Sequence, residues 1–228
     1  MGRQAGLRVE YQQTNQTLYR LVVVKEGAMI TRYPKEITVR EGSRVILKPF
    51  EKKDKEALFE FFVSLPEEDR LYLKDDVTDP MVIEKWAKEL NYDKVFPLLA
   101  WHENRVVGDG TLHRTITGWM HHIGTIRIAI SRDFQRKGLG SVIAKDLFFY
   151  ALKCGVDKIV AEMMEIQLGA VKVFEKLGFV HEATLKNHVL DQIGVKHDLL
   201  IYTKDLVQFW DEIKDHEFFS IPTRSMED

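Results

Sequence analysis

The sequence predicts a single mixed α/β domain in which helices cover a central sheet. Strand-like and helix-like hydrophobic patterns follow one another as a β extension, two helices, three strands, a helix, a strand, a helix and two strands. The chain has 228 residues, 45% of them hydrophobic, which is enough to bury a substantial core. No internal repeat divides it. These observations favour one domain with terminal extensions over two domains.

The N-terminal region predicts a small β extension. Residues 18–25 are rich in Val and Leu and include Tyr, as strands often are, and residues 37–39 and 44–47 suggest a hairpin around the turn at Glu41-Gly42. We therefore divide the chain into a β extension (1–43), a main domain (44–206), and a C-terminal amphipathic helix with a polar tail (207–228).

Hydrophobic spacing predicts the elements of the main domain. Leu58, Phe61, Phe62 and Leu65 recur at helical spacing, and Pro66 ends that helix. Similar reasoning predicts the remaining elements: a helix opened by Asp79-Pro80, strands at 96–101, 105–113 and 124–130, a helix at 139–153, a strand at 158–163, a helix at 168–177, strands at 180–185 and 197–203, and a final helix from about Leu206.

Composition narrows the class of protein. The formal net charge of −2 argues against general nucleic-acid binding by electrostatics. The single cysteine, Cys154, cannot form an intrachain disulfide, which favours a reducing cytosol. No apolar run approaches the ~20 residues that span a bilayer. The expectation is a cytoplasmic protein without a nucleic-acid or membrane partner.

One segment between a strand and a helix points to chemistry. It reads Gln135-Arg136-Lys137-Gly138-Leu139-Gly140-Ser141 and combines glycines, two cations and a helix N-terminus. Main-chain N–H groups at such a position, with the helix dipole behind them, attract an anion, and a pyrophosphate would suit the site. The spacing matches neither common nucleotide loop. The alternative is a plain turn with solvated basic residues.

A second segment adds specificity. Glu162 ends the next strand, Gln167 opens the next helix, and Phe174-Glu175-Lys176-Leu177-Gly178-Phe179 closes it. Together the two segments resemble the GNAT superfamily of acyl-CoA-dependent N-acyltransferases, whose phosphate loop reads Q/R-x-x-G-x-G/A and whose later block ends in Y-E-K-L-G-F. The likeness covers about residues 45–206. It implies the GNAT fold, with a mostly antiparallel central sheet flanked by helices.

The resemblance also implies a binding site for acetyl-CoA as co-substrate. Main-chain groups of the strand before the loop would hold the pantetheine arm and the acetyl carbonyl, and the loop amides would hold the pyrophosphate. Gln167 stands where the family usually has Asn, and Phe174 stands near the cofactor. The implied cofactor-binding residues are Ile128, Ala129, Ile130, Gln135, Arg136, Lys137, Gly138, Leu139, Gly140, Ser141, Gln167 and Phe174.

An amine acceptor must lose a proton before it attacks, since the reference pKa of a primary amine is about 10.4. Glu162 is the first candidate for the proton acceptor, because it matches a Glu that ribosomal-protein N-terminal acetyltransferases of this superfamily use. His113 is the second, because pairing of residues 108–113 with 125–130 would place it and Asp109 across the sheet from the acetyl-binding strand. The alternatives are a surface glutamate and a half-buried strand histidine. His121-His122 lacks partners at metal-ligand spacing, so no metal is expected.

Two residues bear on the mechanism. Many relatives carry a Tyr, which protonates the leaving thiolate, where this chain has Phe174, so the acid role is open. Cys154 lies at the far end of its helix, which favours direct attack by the amine over a cysteine relay.

The acceptor is weakly encoded. Residues 44–66 resemble the acyltransferase domain of bacterial protein-lysine acetyltransferases, and acidic residues between 67 and 79 would either attract a cationic amine or simply be solvated. A protein lysine, a protein N-terminus and a small amine all stay open, as does a non-catalytic acyl-CoA-binding sensor. Apolar residues near the C-terminus suggest docking within the chain or between subunits, and a homodimer is left open: Phe209, Trp210, Phe218 and Phe219.

Overall fold

The structure, a computed structural model, describes residues 8–14, 17–23, 33–70, 72–191 and 193–206. In these ranges the strands are β1 (Arg8–Thr14), β2 (Thr17–Val23), β3 (Lys35–Thr38), β4 (Arg44–Pro49), β5 (Val95–His102), β6 (Arg105–Arg114), β7 (Ile123–Ile130), β8 (Lys158–Met164), β9 (Val180–Leu190) and β10 (Lys196–Asp205). The α-helices are α1 (Lys55–Ser64), α2 (Glu67–Arg70), α3 (Pro80–Lys88), α4 (Leu139–Lys153) and α5 (Leu168–Lys176).

Eight of the strands form one sheet, in the order β3-β4-β5-β6-β7-β8-β10-β9. Neighbours run antiparallel except for the parallel pair β7 and β8. This confirms the predicted mixed, mostly antiparallel sheet flanked by helices. The strands β1 and β2 pair separately. Because β3 pairs with β4, the end of the predicted β extension continues the central sheet, and the division of the chain at residue 43 stays a prediction.

The helix α4 packs closely against one face of the sheet where β6 carries two glycines. Gly108 and Gly110 face the helix, and a Cβ atom at Gly110 would lie 2.1 Å from Cγ2 of Ile143. Ile143 and Leu147 are fully buried in the larger of two hydrophobic clusters. Because Gly108 and Gly110 carry no side chains, the helix can approach the sheet closely at this point. This contact fixes the position of the helix and of the loop before it.

The helices α1 and α3 cover the opposite face with the second cluster, which includes Phe62 and Leu99. Leu65 ends α1 in an extended conformation, as a residue before proline usually does. Asp79 caps α3, and its carboxylate accepts a hydrogen bond from the Met81 N–H at 2.9 Å. No helix in the described ranges is long and apolar enough to cross a membrane.

The predicted elements of the main domain are present, with two differences. The short helix α2 was not predicted, since its four polar residues carry no hydrophobic period. The strand β9 continues to Leu190, because an exposed edge strand tolerates the polar residues that interrupt its pattern. The C-terminal helix beyond Leu206, with its proposed docking residues, lies outside the described residues.

Candidate active site

The strands β7 and β8 separate part-way along their length. Their pairing is confined to residues 123–125 of β7 and 158–160 of β8, although both strands continue. Beyond Thr125 the β8-facing edge of β7 has no strand partner among the described residues, so its main-chain groups can bind an extended ligand. The predicted residues Ile128, Ala129 and Ile130 lie on this stretch and line the cavity beside it.

The loop from β7 to α4 presents main-chain N–H groups at a helix N-terminus. Val142 donates to the Gly138 carbonyl at 3.2 Å, so the N–H groups of the preceding helical residues, 139–141, lack an intrahelical acceptor. Gly138 has a φ of 86° and Arg136 a φ of 60°, which turn the chain sharply into the helix. Together with the positive end of the helix dipole, these groups form an anion site.

Most side chains of this loop stabilise it rather than face the cavity. The Gln135 amide donates to the Ile130 carbonyl at 3.1 Å. Lys137 pairs with Glu41 at 2.8 Å, and Leu139 is buried in the core. Of the predicted loop residues, Lys137 and Leu139 therefore do not line the cavity, whereas the other five do: Gln135, Arg136, Gly138, Gly140 and Ser141.

Two further predicted residues lie where β8 leads into α5. The Gln167 side-chain oxygen accepts a hydrogen bond from the Met164 N–H at 2.7 Å, which closes the turn before the helix. Phe174 is buried and packs edge-on against Phe179, with ring centroids 5.0 Å apart. Both residues line the cavity, but the Gln167 oxygen is already occupied.

One cavity of about 1400 Å³ joins the loop, the separated strands and the face covered by α1 and α3. On that face Asp109, His113 and Arg127 project from β6 and β7, and Glu162 from β8. The cavity can therefore hold a long ligand along β7 and a second molecule above the sheet.

The two predicted proton acceptors both line this cavity. Glu162 is partly exposed and forms an ion pair with Lys74, which follows α2. Burial, helped by the positive charges of Arg127 and Lys74, lowers the pKa of His113 to about 4. His113 is therefore neutral at pH 7, and it can accept a hydrogen bond but is a weak base.

Asp109 is the residue whose part in the site the sequence left undefined. It is 9% exposed, lines the cavity, and lies opposite Ala129 of β7. Its hydrogen-bond donor is the Thr111 hydroxyl, at 3.3 and 3.4 Å from the two carboxylate oxygens. Burial raises the pKa of Asp109 to about 7. The register of β6 and β7 was predicted and is confirmed, but the covering layer that buries this carboxyl was not evident from the sequence.

The acidic stretch before α3 is largely occupied by internal contacts. Glu68 and Asp69 both pair with Arg132, the latter at 3.3 Å. Asp76 accepts hydrogen bonds from Thr78, the nearer at 2.5 Å, and Asp79 caps α3. An acidic rim that attracts a cationic amine is therefore poorly supported at these positions.

Comparison with known proteins decides the family. The family model described as acetyltransferase (GNAT) family matches residues 56–179, more than half of the chain. The chain belongs to this family. The resemblance drawn from the sequence is thereby confirmed, and with it acetyl-CoA-dependent acetylation as the general activity of this GNAT protein.

Solved structures share the fold of the GNAT protein. The GNAT domain of S. lividans PAT has a TM-score of 0.64 and 14% sequence identity, over 75% of this chain and 96% of that chain. A ribosomal-protein-S5-alanine acetyltransferase from Vibrio fischeri has a TM-score of 0.61 and 17% identity, over 75% and 96%. A Salmonella typhimurium protein solved with its cofactor acetyl-CoA has a TM-score of 0.61 and 17% identity, over 71% and 94%.

The GNAT protein offers groups that fit acetyl-CoA. The N–H groups at the start of α4 can donate hydrogen bonds to the negatively charged oxygens of a pyrophosphate. The unpaired edge of β7 beyond Thr125 can hydrogen-bond to an extended arm that carries amide groups. In the part of the chain that the structure describes, no cluster of three or more His, Cys, Asp or Glu side chains is arranged to hold a metal ion.

Proposed function

We propose that this GNAT protein transfers an acetyl group from acetyl-CoA to a primary amine by direct attack in a ternary complex. The acceptor classes are a protein lysine, a protein N-terminus and a small-molecule amine. The observation that carries the proposal is one shared cavity. In it, the loop before α4 and the unpaired edge of β7 beyond Thr125 adjoin a face of the sheet that bears carboxyl groups.

In this proposal the main chain binds the co-substrate. The amides of residues 136–141 hold the pyrophosphate, and the main-chain groups of Ile128, Ala129 and Ile130 hold the pantetheine arm and the acetyl carbonyl. Acetyl-CoA, when bound, supplies the thioester carbon that the amine attacks. The amine nitrogen forms a bond to this carbon and loses a proton, the carbon–sulfur bond breaks, and the CoA sulfur takes up one proton.

Glu162 is the proposed proton acceptor. It lies on the separated part of β8, faces the same cavity as β7 and forms an ion pair with Lys74, and a carboxylate in this position can accept the proton of the amine. His113 is the second candidate. Its pKa of about 4 makes it a weaker base than an ordinary imidazole, so its proposed part is to accept a hydrogen bond from the amine.

Direct attack is favoured over a relay through Cys154. That residue follows the last turn of α4, a helix of 15 residues, whereas the amide loop precedes its first turn. At 1.5 Å per residue the two ends of the helix are about 22 Å apart. Phe174 cannot donate a proton, so water or another donor protonates the leaving thiolate in this proposal.

Thiol release from acetyl-CoA, with a panel of amines and lysine peptides, tests the activity. Glu162→Gln should lower the turnover at least a hundredfold, as loss of a general base typically does (about 10²–10⁴-fold). Cys154→Ala is the control and should retain turnover. Calorimetry with CoA tests the loop separately, because Gly138→Asp should abolish binding. Wild-type protein that gives no heat with millimolar CoA would refute the binding site.

A non-catalytic acyl-CoA-binding sensor is the second candidate function. Phe174 in place of the family's Tyr favours it, because the cavity then lacks a phenolic proton donor at that position. Tight CoA binding without turnover on any amine would support this alternative. The cytoplasmic location and the homodimer stay predictions.

A further inference from the structure

Arg127 is a cationic group in the cavity with an unsatisfied hydrogen-bond donor. It lies on the released stretch of β7, next to Ile128, and its side chain is 40% exposed. Its buried Nε–H has no hydrogen-bond partner among the described residues. The nearest carboxylate oxygen among the described residues belongs to Asp75, at 3.8 Å, which is beyond hydrogen-bond distance. A guanidinium with unused donors is suited to a carboxylate or phosphate.

Asp109 is the complementary group on the neighbouring strand. The carboxyl is buried against the sheet, and its donor among the described residues is the Thr111 hydroxyl, at 3.4 and 3.3 Å from the two oxygens. No Lys, Arg or His nitrogen in the described ranges lies within 4.0 Å of it. A buried carboxyl with so few partners is costly, and such groups concentrate at binding and catalytic sites.

The sheet places these two groups on one face with a gap between them. Asp109 is opposite Ala129, and Arg127 precedes Ala129 by two residues, so both side chains project toward α1 and α3. Such diagonal neighbours have Cα atoms about 7–8 Å apart. Asp109 and Arg127 are therefore close but do not pair with each other. A ligand with one cationic and one anionic group can lie between them.

We propose that the acceptor is a free α-amino acid, whose carboxylate binds Arg127 and whose ammonium group binds beside Asp109 before Glu162 takes its proton. This inference rests on the proposed function and selects the small-molecule class within it. A lysine side chain and a protein N-terminus lack an anion next to the amine, so they would bring no hydrogen-bonding carboxylate to Arg127.

The remaining wall indicates the side chain of this amino acid. The helices α1 and α3 and their connections contribute apolar side chains to the cavity, among them Phe62, Leu65 and Trp86, beside the charged Lys74 and Asp75. An apolar or aromatic side chain would be desolvated there favourably, at about 25 cal/mol per Å² of buried surface. Leucine, methionine and phenylalanine are therefore the acceptors to test.

The experiment compares each amino acid with its carboxamide and with the amine that lacks the carboxyl group. For phenylalanine these are phenylalaninamide and 2-phenylethylamine, and a lysine peptide completes the series. Thiol release should give the amino acid a kcat/KM at least about tenfold above the amide, because charge-assisted hydrogen bonds to the carboxylate are lost. An amide or amine that reacts as well as the amino acid would overturn the proposal.

Variants separate recognition from folding. Arg127→Gln should remove the preference for the amino acid over the amide, and Arg127→Lys should restore part of it because the charge stays but the paired donors do not. Arg44→Gln is the matched control, since Arg44 is an exposed arginine on β4 outside the cavity. Asp109→Asn should raise the KM for amino acid and amide alike. An unchanged preference in Arg127→Gln contradicts the proposed contact.

Binding supplies a readout that does not depend on turnover. Calorimetry of the amino acids against the protein saturated with CoA should show binding to wild type and to Arg44→Gln, and none to Arg127→Gln. If no amine is acetylated although the amino acid binds, the proposed activity fails, and of this inference only the amino-acid binding site with its Arg127 contact stands. If amines are acetylated but amino acids neither bind nor react, the inference fails and the proposed function stands.

Discussion

Replacing Asp109 with Asn should stabilise the protein at neutral and higher pH. The carboxyl of wild type is buried, and burial raises its pKa from 3.8 to about 7. Above that pH the folded protein must keep a buried carboxylate with one hydroxyl donor, whereas the unfolded chain exposes it to water. Asn fills the same volume without a charge, so the variant avoids this cost.

The sign and size follow from proton linkage. Between the unfolded pKa of 3.8 and the folded pKa of about 7, the folded state retains a proton that the unfolded state has released. The free energy of unfolding therefore falls as pH rises through this window. At about 1.4 kcal/mol per pKa unit, a shift of about three units costs roughly 4 kcal/mol above pH 7. Between pH 5 and pH 8 the advantage of the variant should grow by about 3 kcal/mol.

Urea unfolding of wild type and Asp109→Asn at pH 5 and pH 8 measures this difference. Glu60→Gln is the control, because Glu60 is an exposed carboxylate on α1 and its removal should change the difference little. A variant with the same advantage at both pH values, or one destabilised at pH 8, would refute the assignment of a buried ionised carboxylate. A carboxyl group proposed for binding would thus lower the free energy of unfolding above pH 7.

Three other changes test the framework around the site. Gly110→Ala should destabilise the protein by several kcal/mol, because the added methyl group collides with Ile143, and Ile143→Ala in the same chain should recover part of the loss in thermal unfolding. Asp79→Ala removes the cap of α3 and should cost about 1 kcal/mol in urea unfolding. Hydrogen bonds that His197 donates to the carboxylates of Asp191 and Glu165 raise the pKa of His197, so the stability that this residue contributes is full below about pH 6.5 and is lost as pH rises through the folded value. Hydrogen exchange of the β9–β10 hairpin should report that loss, and His197→Gln should lack it.

The sequence predicts most elements of the fold because their signals are local. The helical spacing of Leu58 to Leu65, the Asp79-Pro80 start and the glycines that end α4 and α5 each act within a few residues. The loop before α4 was predicted for the same reason, since its glycines and the helix N-terminus are adjacent in the chain. Such features need no knowledge of what packs above them.

The composition of the cavity could not be predicted, because it depends on contacts between distant segments. Lys74 reaches Glu162 from a position 88 residues earlier. The alternation of Asp109, Thr111 and His113 shows that they share one face of β6, but the burial of Asp109 depends on the helices that cover that face. Likewise, the unsatisfied Nε–H of Arg127 becomes evident only once the residues around it are placed.

The start of α4 has a consequence for how such proteins diverge. Every residue except proline brings the same peptide N–H, so a contact made by the backbone survives almost any exchange of side chain. Proteins that keep the bend at Gly138 can thus differ in the residues that face the second substrate. This agrees with the fold that the chain shares with structures only 14–17% identical to it in sequence.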